Sequence, residues 1–273
     1  MHSTTTLIPA NVMRRGYADT RAGQIHYYAA GRSGPLLFLL HETALSGSEF
    51  ERVLPILGTR CRAVALDTPG YGMSDAPDAP LAIADLAACL HAAIQTFGNG
   101  PCILAGVHTG SSLALELATG LLQDRVSRLI MSGLALLSAE EVAAFRSIIA
   151  TPALDSEGNF LLEEWRKRRE RWGEHATLAD VLWGTVEQMR VYDRFNWALE
   201  AVFEHDARAC LERLSCPSLF LVGEEDSLVE CDRRAAPLVA DARLIVLPDL
   251  GGRLPYLAPQ LYADQLFSFL GLG

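Results

Sequence analysis

The sequence predicts an α/β fold: a mostly parallel sheet flanked by helices, with a helical cap inserted late in the chain. Three observations predict it. Short apolar runs of strand length alternate with longer segments of helical spacing through the first half of the chain. From Ser138 to about Leu214 the alternation stops and the pattern is helical throughout. It then resumes as strand, helix, strand and helix to the end of the sequence. Strands joined through helices form βαβ units with right-handed crossovers, which build an open sheet covered on both faces. The expected organisation is therefore a core of residues 1–137 and 215–273 and a cap of residues 138–214, lying over the carboxyl edge of the sheet, where open α/β folds bind ligands.

Residues 1–11 read as a tail. A hairpin follows, with strands Val12 to Thr20 and Gln24 to Ala30 around the turn Arg21-Ala22-Gly23. Leu36 to Leu40 is an unbroken apolar run of the kind found in a buried parallel strand. It ends at His41-Glu42-Thr43, with a helix expected from Ser48 or Glu49. Ala63 to Leu66 forms the next strand, and a loop dense in turn residues, Asp67 to Asp75, follows it. Leu81 to Phe97 has helical spacing. Next come the strand before Gly106, a helix from Ser111 to Leu122 and the strand Leu129 to Ser132. After the helical segment the strand Ser218 to Val222, the helix near Asp232 to Val239, the strand Ala242 to Leu247 and the helix Pro259 to Leu270 complete the chain.

Composition narrows the function. Half of the 273 residues are apolar, which excludes a disordered chain. The formal net charge of -10 argues against a nucleic-acid partner, because such binding draws on clustered Lys and Arg. The six cysteines form no C-x-x-C pair and no zinc-like spacing with histidines, so neither metal nor cofactor is expected. The N-terminus lacks the basic and apolar regions of a signal peptide, and no apolar run reaches membrane-spanning length. A cytoplasmic monomer or homodimer acting on a small molecule is expected, with no membrane partner.

The stretch Cys102-Ile103-Leu104-Ala105-Gly106-Val107-His108-Thr109-Gly110 carries the strongest local signal. A strand enters a turn and leaves as a helix, with small residues two before and two after the central position. That is the frame of a nucleophile elbow. The residue displayed at its tip is His108, where a hydrolase has Ser, Asp or Cys. A shifted register would display Ser112, but the strand ends too early and puts Ser112 in the first turn of the helix.

Several motifs in this order resemble the α/β-hydrolase superfamily over nearly the whole chain. His41 stands where the family has its oxyanion loop, and Asp67-x-Pro69-Gly70-Tyr71-Gly72-x-Ser74 is similar to its D-x-P-G-x-G-x-S loop. Gly223-Glu224-Glu225-Asp226 resembles the segment that supplies the triad acid, and Gly251-Gly252-Arg253-Leu254-Pro255 the one that supplies the triad histidine. The resemblance puts His108 at the nucleophile position, Asp226 at the acid and Arg253 at the histidine. Glu42 stands where the oxyanion loop has glycine.

Ester hydrolysis by the family mechanism needs a hydroxyl nucleophile and a histidine to take its proton. A guanidinium is always charged and takes none. The departures point instead to acid/base chemistry centred on His108, with Glu42 orienting the ring or shuttling a proton. The catalytic set expected is His108, Glu42 and Asp226. An Asp226–Arg253 ion pair is expected, with Arg253 holding a carboxylate, enolate or phenolate of the substrate. Arg253, His41, Thr43, Thr109, Trp183 and Tyr192 form the expected binding set, the last two from an aromatic cap lining. The bland alternatives are a structural Asp226–Arg253 bridge and a Glu42 that merely caps the following helix. The leading reading is a cofactor-independent lyase, isomerase or decarboxylase acting on a small, largely apolar carbonyl or carboxylate compound. The alternatives are a hydrolase in which His108 activates water and an inactive small-molecule receptor. His26, His91, His175 and His205 have no motif around them and read as structural.

Overall fold

A computed structural model describes residues 12–149 and 153–273; the expected N-terminal tail lies outside them. Eight strands form one sheet: β1 (Arg14–Thr20), β2 (Gly23–Ala30), β3 (Leu36–Leu40), β4 (Arg62–Leu66), β5 (Cys102–Val107), β6 (Val126–Ser132), β7 (Ser218–Gly223) and β8 (Ala242–Leu247). Their spatial order is β1-β2-β4-β3-β5-β6-β7-β8. The first two strands pair antiparallel with their neighbours, and every pair from β4 to β8 is parallel. The unbroken apolar runs lie in the middle of the sheet. All residues of β3, β5 and β7 are buried, because helices cover both faces and leave no solvent side to call for alternation.

The helices of the core are α1 (Leu54–Leu57), α2 (Ile83–Gln95) and α3 (Thr109–Thr119). Between β6 and β7 lie α4 (Ala139–Ile148), α5 (Asn159–Trp172), α6 (Leu178–Met189), α7 (Trp197–Phe203) and α8 (Ala207–Arg213). After β7 come α9 (Val229–Ala235), α10 (Leu254–Leu257) and α11 (Pro259–Leu270). In α2 the residues Ile83, Leu86, Ala87, Leu90, Ala93 and Ile94 are buried, the stripe its spacing predicts. The helix expected from residue 48 is instead a 3-10 turn, Gly47–Phe50, capped by Ser46, whose hydroxyl accepts from the Ser48 amide. The α4 and α6 helices both open on capping boxes, Ser138 with Glu141 and Thr177 with Asp180. The sheet divides the apolar interior in two, with Phe38, Leu104 and Leu113 on one side and Leu39, Ala105 and Tyr262 on the other.

The turn-rich loop after β4 is organised around Asp67, which is wholly buried. Its carboxylate accepts from the amides of Gly47 and Met73 and meets His26 Nδ1 at 2.9 Å. This loop ties the amino-terminal half of β2 and the carboxyl end of β4 to the turn after β3.

Candidate active site

The β5 strand runs straight into α3 through His108, whose φ of 47° lies in the left-handed region that side chains beyond glycine rarely adopt. The two flanking glycines have a steric reason. A Cβ on Gly106 would collide with the backbone of Gly110, and one on Gly110 would collide with the Leu40 carbonyl at the end of β3. The turn is tight because the helix must start against the strand, and the strained residue is the one it displays. Ser112 is wholly buried in the first turn of α3, so the displayed residue is His108.

Both nitrogens of the His108 ring face carboxylates. Nε2 lies 2.9 Å from Asp226 Oδ2 and 3.1 Å from Oδ1, while Nδ1 lies 3.3 Å from Glu42 Oε2. Burial opposes the charged ring, but the charge and hydrogen bond of Asp226, followed by the charge of Glu42, outweigh it and push the His108 pKa up to about 9. Asp226 is held below the ordinary carboxylate range: burial raises it, and His108 together with the Leu228 amide more than reverses that. Gly252 makes the contact possible, since a Cβ there would come within 2.8 Å of Asp226 Oδ2.

The expected Asp226–Arg253 pair is not what forms. Arg253 sits at φ 60° ahead of α10 and places Nη1 3.5 Å from Glu42 Oε1. Its guanidinium lies over the Trp172 ring at 4.5 Å. Asp226 is taken by His108, because the imidazole at the elbow tip reaches the acid directly. The partners are exchanged: acid with elbow, arginine with oxyanion loop. Arg253 Nε and Glu42 Oε2 are both buried without a hydrogen-bond partner among the described residues.

Glu42 does not cap the following turn. Its own amide donates to Glu49 Oε2 at 3.0 Å, which makes Glu49 the support and Glu42 the supported group. Glu49 is wholly buried, and burial together with the Glu42 charge raises its pKa well above the usual value. Sequence reasoning passed over Glu49; its only signal was a charged residue inside an otherwise apolar stretch.

His41 stays out of the cleft. It is 1% exposed, accepts from the Thr68 amide through Nε2 at 2.9 Å, and its Nδ1 meets the Glu42 carbonyl at 2.8 Å. Burial lowers its pKa, so it is a neutral brace between two loops. Thr43 lines the cleft, and its hydroxyl donates to Thr109 at 2.8 Å. Trp183 and Tyr192 are not among the described residues lining it. Trp183 stacks on Tyr256 at 4.1 Å and donates to Ser48, and Tyr192 lies exposed after α6. The aromatic wall comes instead from Trp172 and Phe145, with Ile149 and Leu199 beside them. The cleft has a volume of about 510 Å³, and Glu42, His108, Asp226 and Arg253 form its polar end. An apolar wall and one charged end suit a small organic molecule with a single polar group.

Comparison with known proteins places this architecture. The Alpha/beta hydrolase family matches residues 37–265, and the chain belongs to that family. The chain is similar to the pimeloyl-[acyl-carrier protein] methyl ester esterase of Xanthomonas oryzae pv. oryzae, 27% identical over 255 residues that cover 87% of this chain and 94% of the esterase. A shorter likeness, 31% over 116 residues and 41% of each chain, links it to the magnesium-chelatase 30 kDa subunit of Rhodobacter capsulatus. Among solved structures, the enol-lactonase from Burkholderia xenovorans LB400 superposes with a TM-score of 0.78 at 20% identity, covering 94% of this chain and all of that one. A putative lipase from Acinetobacter baumannii AYE does so at 0.80 and 18%, covering 95% and 91%. At these identities the structures speak for the fold alone. No described helix is long and apolar enough to cross a membrane.

Proposed function

We propose that this chain is an enzyme that hydrolyses a small, largely apolar ester, enol ester or lactone without a covalent acyl-enzyme. One observation carries the reading: His108 lies between two carboxylates, one on each ring nitrogen, and their charge favours the imidazolium. A histidine in that state is a proton donor at neutral pH and no longer takes a proton from water. The base must then be a carboxylate, and Glu42 Oε2 is the one that faces the ring and has no other hydrogen bond.

In this mechanism Asp226 anchors His108 through Nε2. The looser Nδ1–H, 3.3 Å from Glu42, turns to the substrate carbonyl oxygen. Water adds to the carbonyl carbon and gives its proton to Glu42, while the developing oxyanion is stabilised by Nδ1–H. Collapse expels the leaving oxygen, which takes a proton from Glu42, and the cluster returns to its starting charge. Arg253, with Nε unpaired, holds a carboxylate elsewhere on the substrate.

The same acid and base also suit proton abstraction beside a carbonyl, the lyase, isomerase or decarboxylase chemistry put first by the sequence. The relative named as a methyl ester esterase favours hydrolysis instead. The two separate by isotope. In heavy-oxygen water a hydrolase puts the label into the acid product; in deuterium oxide a carbanion-forming lyase puts deuterium on carbon. Activated esters, lactones, epoxides and β-keto acids form the substrate panel. Deuterium on carbon with no oxygen label overturns the hydrolytic reading. Ligand-induced thermal stabilisation without turnover of any member assigns the fold to a receptor.

A further inference from the structure

Eight residues beyond the elbow, on the same helix α3, Glu116 meets two residues of the helical segment between β6 and β7. Glu116 Oε2 lies 3.1 Å from His205 Nε2 and 3.4 Å from Cys210 Sγ, and Sγ lies 3.5 Å from Nε2. Among the described residues no other set of three His, Cys or carboxylate donors converges this closely. The residues come from α3, the α7–α8 turn and α8, which is why no spacing in the sequence announces them. Cys210 is 3% exposed, and the His205 and Glu116 side chains are 6% and 25% exposed.

We propose that Glu116, His205 and Cys210 bind a divalent transition-metal ion of the zinc type, which fastens the helical segment to the helix that carries the elbow. Tetrahedral zinc bonded to sulfur, nitrogen and oxygen separates its donor atoms by about 3.4–3.6 Å, as follows from its bond lengths. The two sides that meet at Cys210 Sγ, 3.4 and 3.5 Å, fall in that range, and the His205–Glu116 side, 3.1 Å, is shorter than it. Hydrogen bonding accounts for two sides at most, since the thiol and the ring N–H can each donate to Glu116, and no proton is then left to bridge sulfur and nitrogen. A cation accounts for the third. The arrangement is also not a catalytic relay, because a relay uses opposite ring nitrogens for nucleophile and acid, and here Nε2 faces both.

Burial raises the Cys210 thiol pKa, and Arg213 Nη2, 3.4 Å from Sγ, offsets only part of that, so it is the bound cation that removes the thiol proton. Binding expels the thiol proton to solvent, and the His205 proton resides on Nδ1. Thiolate, carboxylate and neutral imidazole together balance the ion's two charges. His205 also borders a cleft of about 430 Å³ with Asp206, Arg208 and Ser138, which gives an ion an approach.

Cobalt tests the site by its colour. The full-length, tag-free, metal-stripped protein titrated with Co²⁺ is expected to develop a thiolate-to-cobalt charge-transfer band saturating at one equivalent, and Zn²⁺ is expected to bleach it. Cys210→Ser is expected to abolish the band while Cys216→Ser keeps it. Glu116→Ala retains the thiol and is expected to lose at least roughly tenfold in affinity, the lower end of what even outer ligand partners cost. Absence of the band in the wild-type chain overturns the proposal. So does a band that survives Cys210→Ser, or an affinity unmoved in Glu116→Ala; this last comparison decides the matter if Cys210→Ser does not fold.

Discussion

Helix α3 carries a polar cluster at each end of its buried length, and each is built on a histidine. At the N-terminal end His108 has a carboxylate on either nitrogen and is driven to about 9. Towards the other end His205 has one carboxylate, a thiol and deep burial, and its pKa is lowered. Burial penalises the imidazolium in both places, so the number of carboxylates decides. The first ring is held as an acid and the second is kept neutral. Identity of residue type says little; the charge of the neighbours fixes the chemistry.

The largest effect expected from breaking this contrast is at the elbow. His108→Ala is expected to cost about a thousandfold in kcat/KM, combining the loss of an acid and of an oxyanion donor. Circular dichroism checks that the fold persists, and unchanged turnover would sink the assignment. Next in size is the turn itself. Gly110→Ala is expected to destabilise the chain by about 1–3 kcal/mol in urea unfolding, because the methyl group collides with the Leu40 carbonyl.

The third prediction concerns pH. Because the His108 pKa is raised from 6.5 to about 9, kcat/KM is expected to fall above pH 9 as the acid loses its proton. Stability follows the same sign: the folded chain binds this proton more tightly than the unfolded one, so the contribution is complete below pH 6.5 and fades as pH rises towards 9. Asp226→Asn is expected to move the alkaline limb of the rate profile downwards. A limb that stays in place would remove Asp226 from the cluster. The smallest effect is expected at Trp172→Ala. Loss of the ring beneath Arg253 costs about 1 kcal/mol of cation–π energy and is expected to raise KM more than it lowers kcat in steady-state assays.

Much of this was legible before the fold was known. Each of the eight strands falls on a run the sequence marks by unbroken or alternating apolarity, with bounds differing by a few residues at most. Gly106 and Gly110 announce the turn, and the turn announces His108. The reach into the site was less legible. His41 had the position of an oxyanion-loop residue but spends both nitrogens on backbone groups. Trp183 and Tyr192 had the right composition for a pocket wall, yet Trp172 at the end of α5 takes that place.

The sequence by itself determined the order of strands and helices, the tight turn and the residue it displays. All of these depend on groups within a few positions of one another, where periodicity and backbone sterics act. Tertiary structure alone decided that Asp226 pairs with His108 and Arg253 with Glu42, that Glu49 supports Glu42, and that Glu116, His205 and Cys210 converge. Those contacts join elements far apart in the chain, and they depend on where each strand ends and how each side chain leaves its backbone. A periodic pattern carries neither quantity.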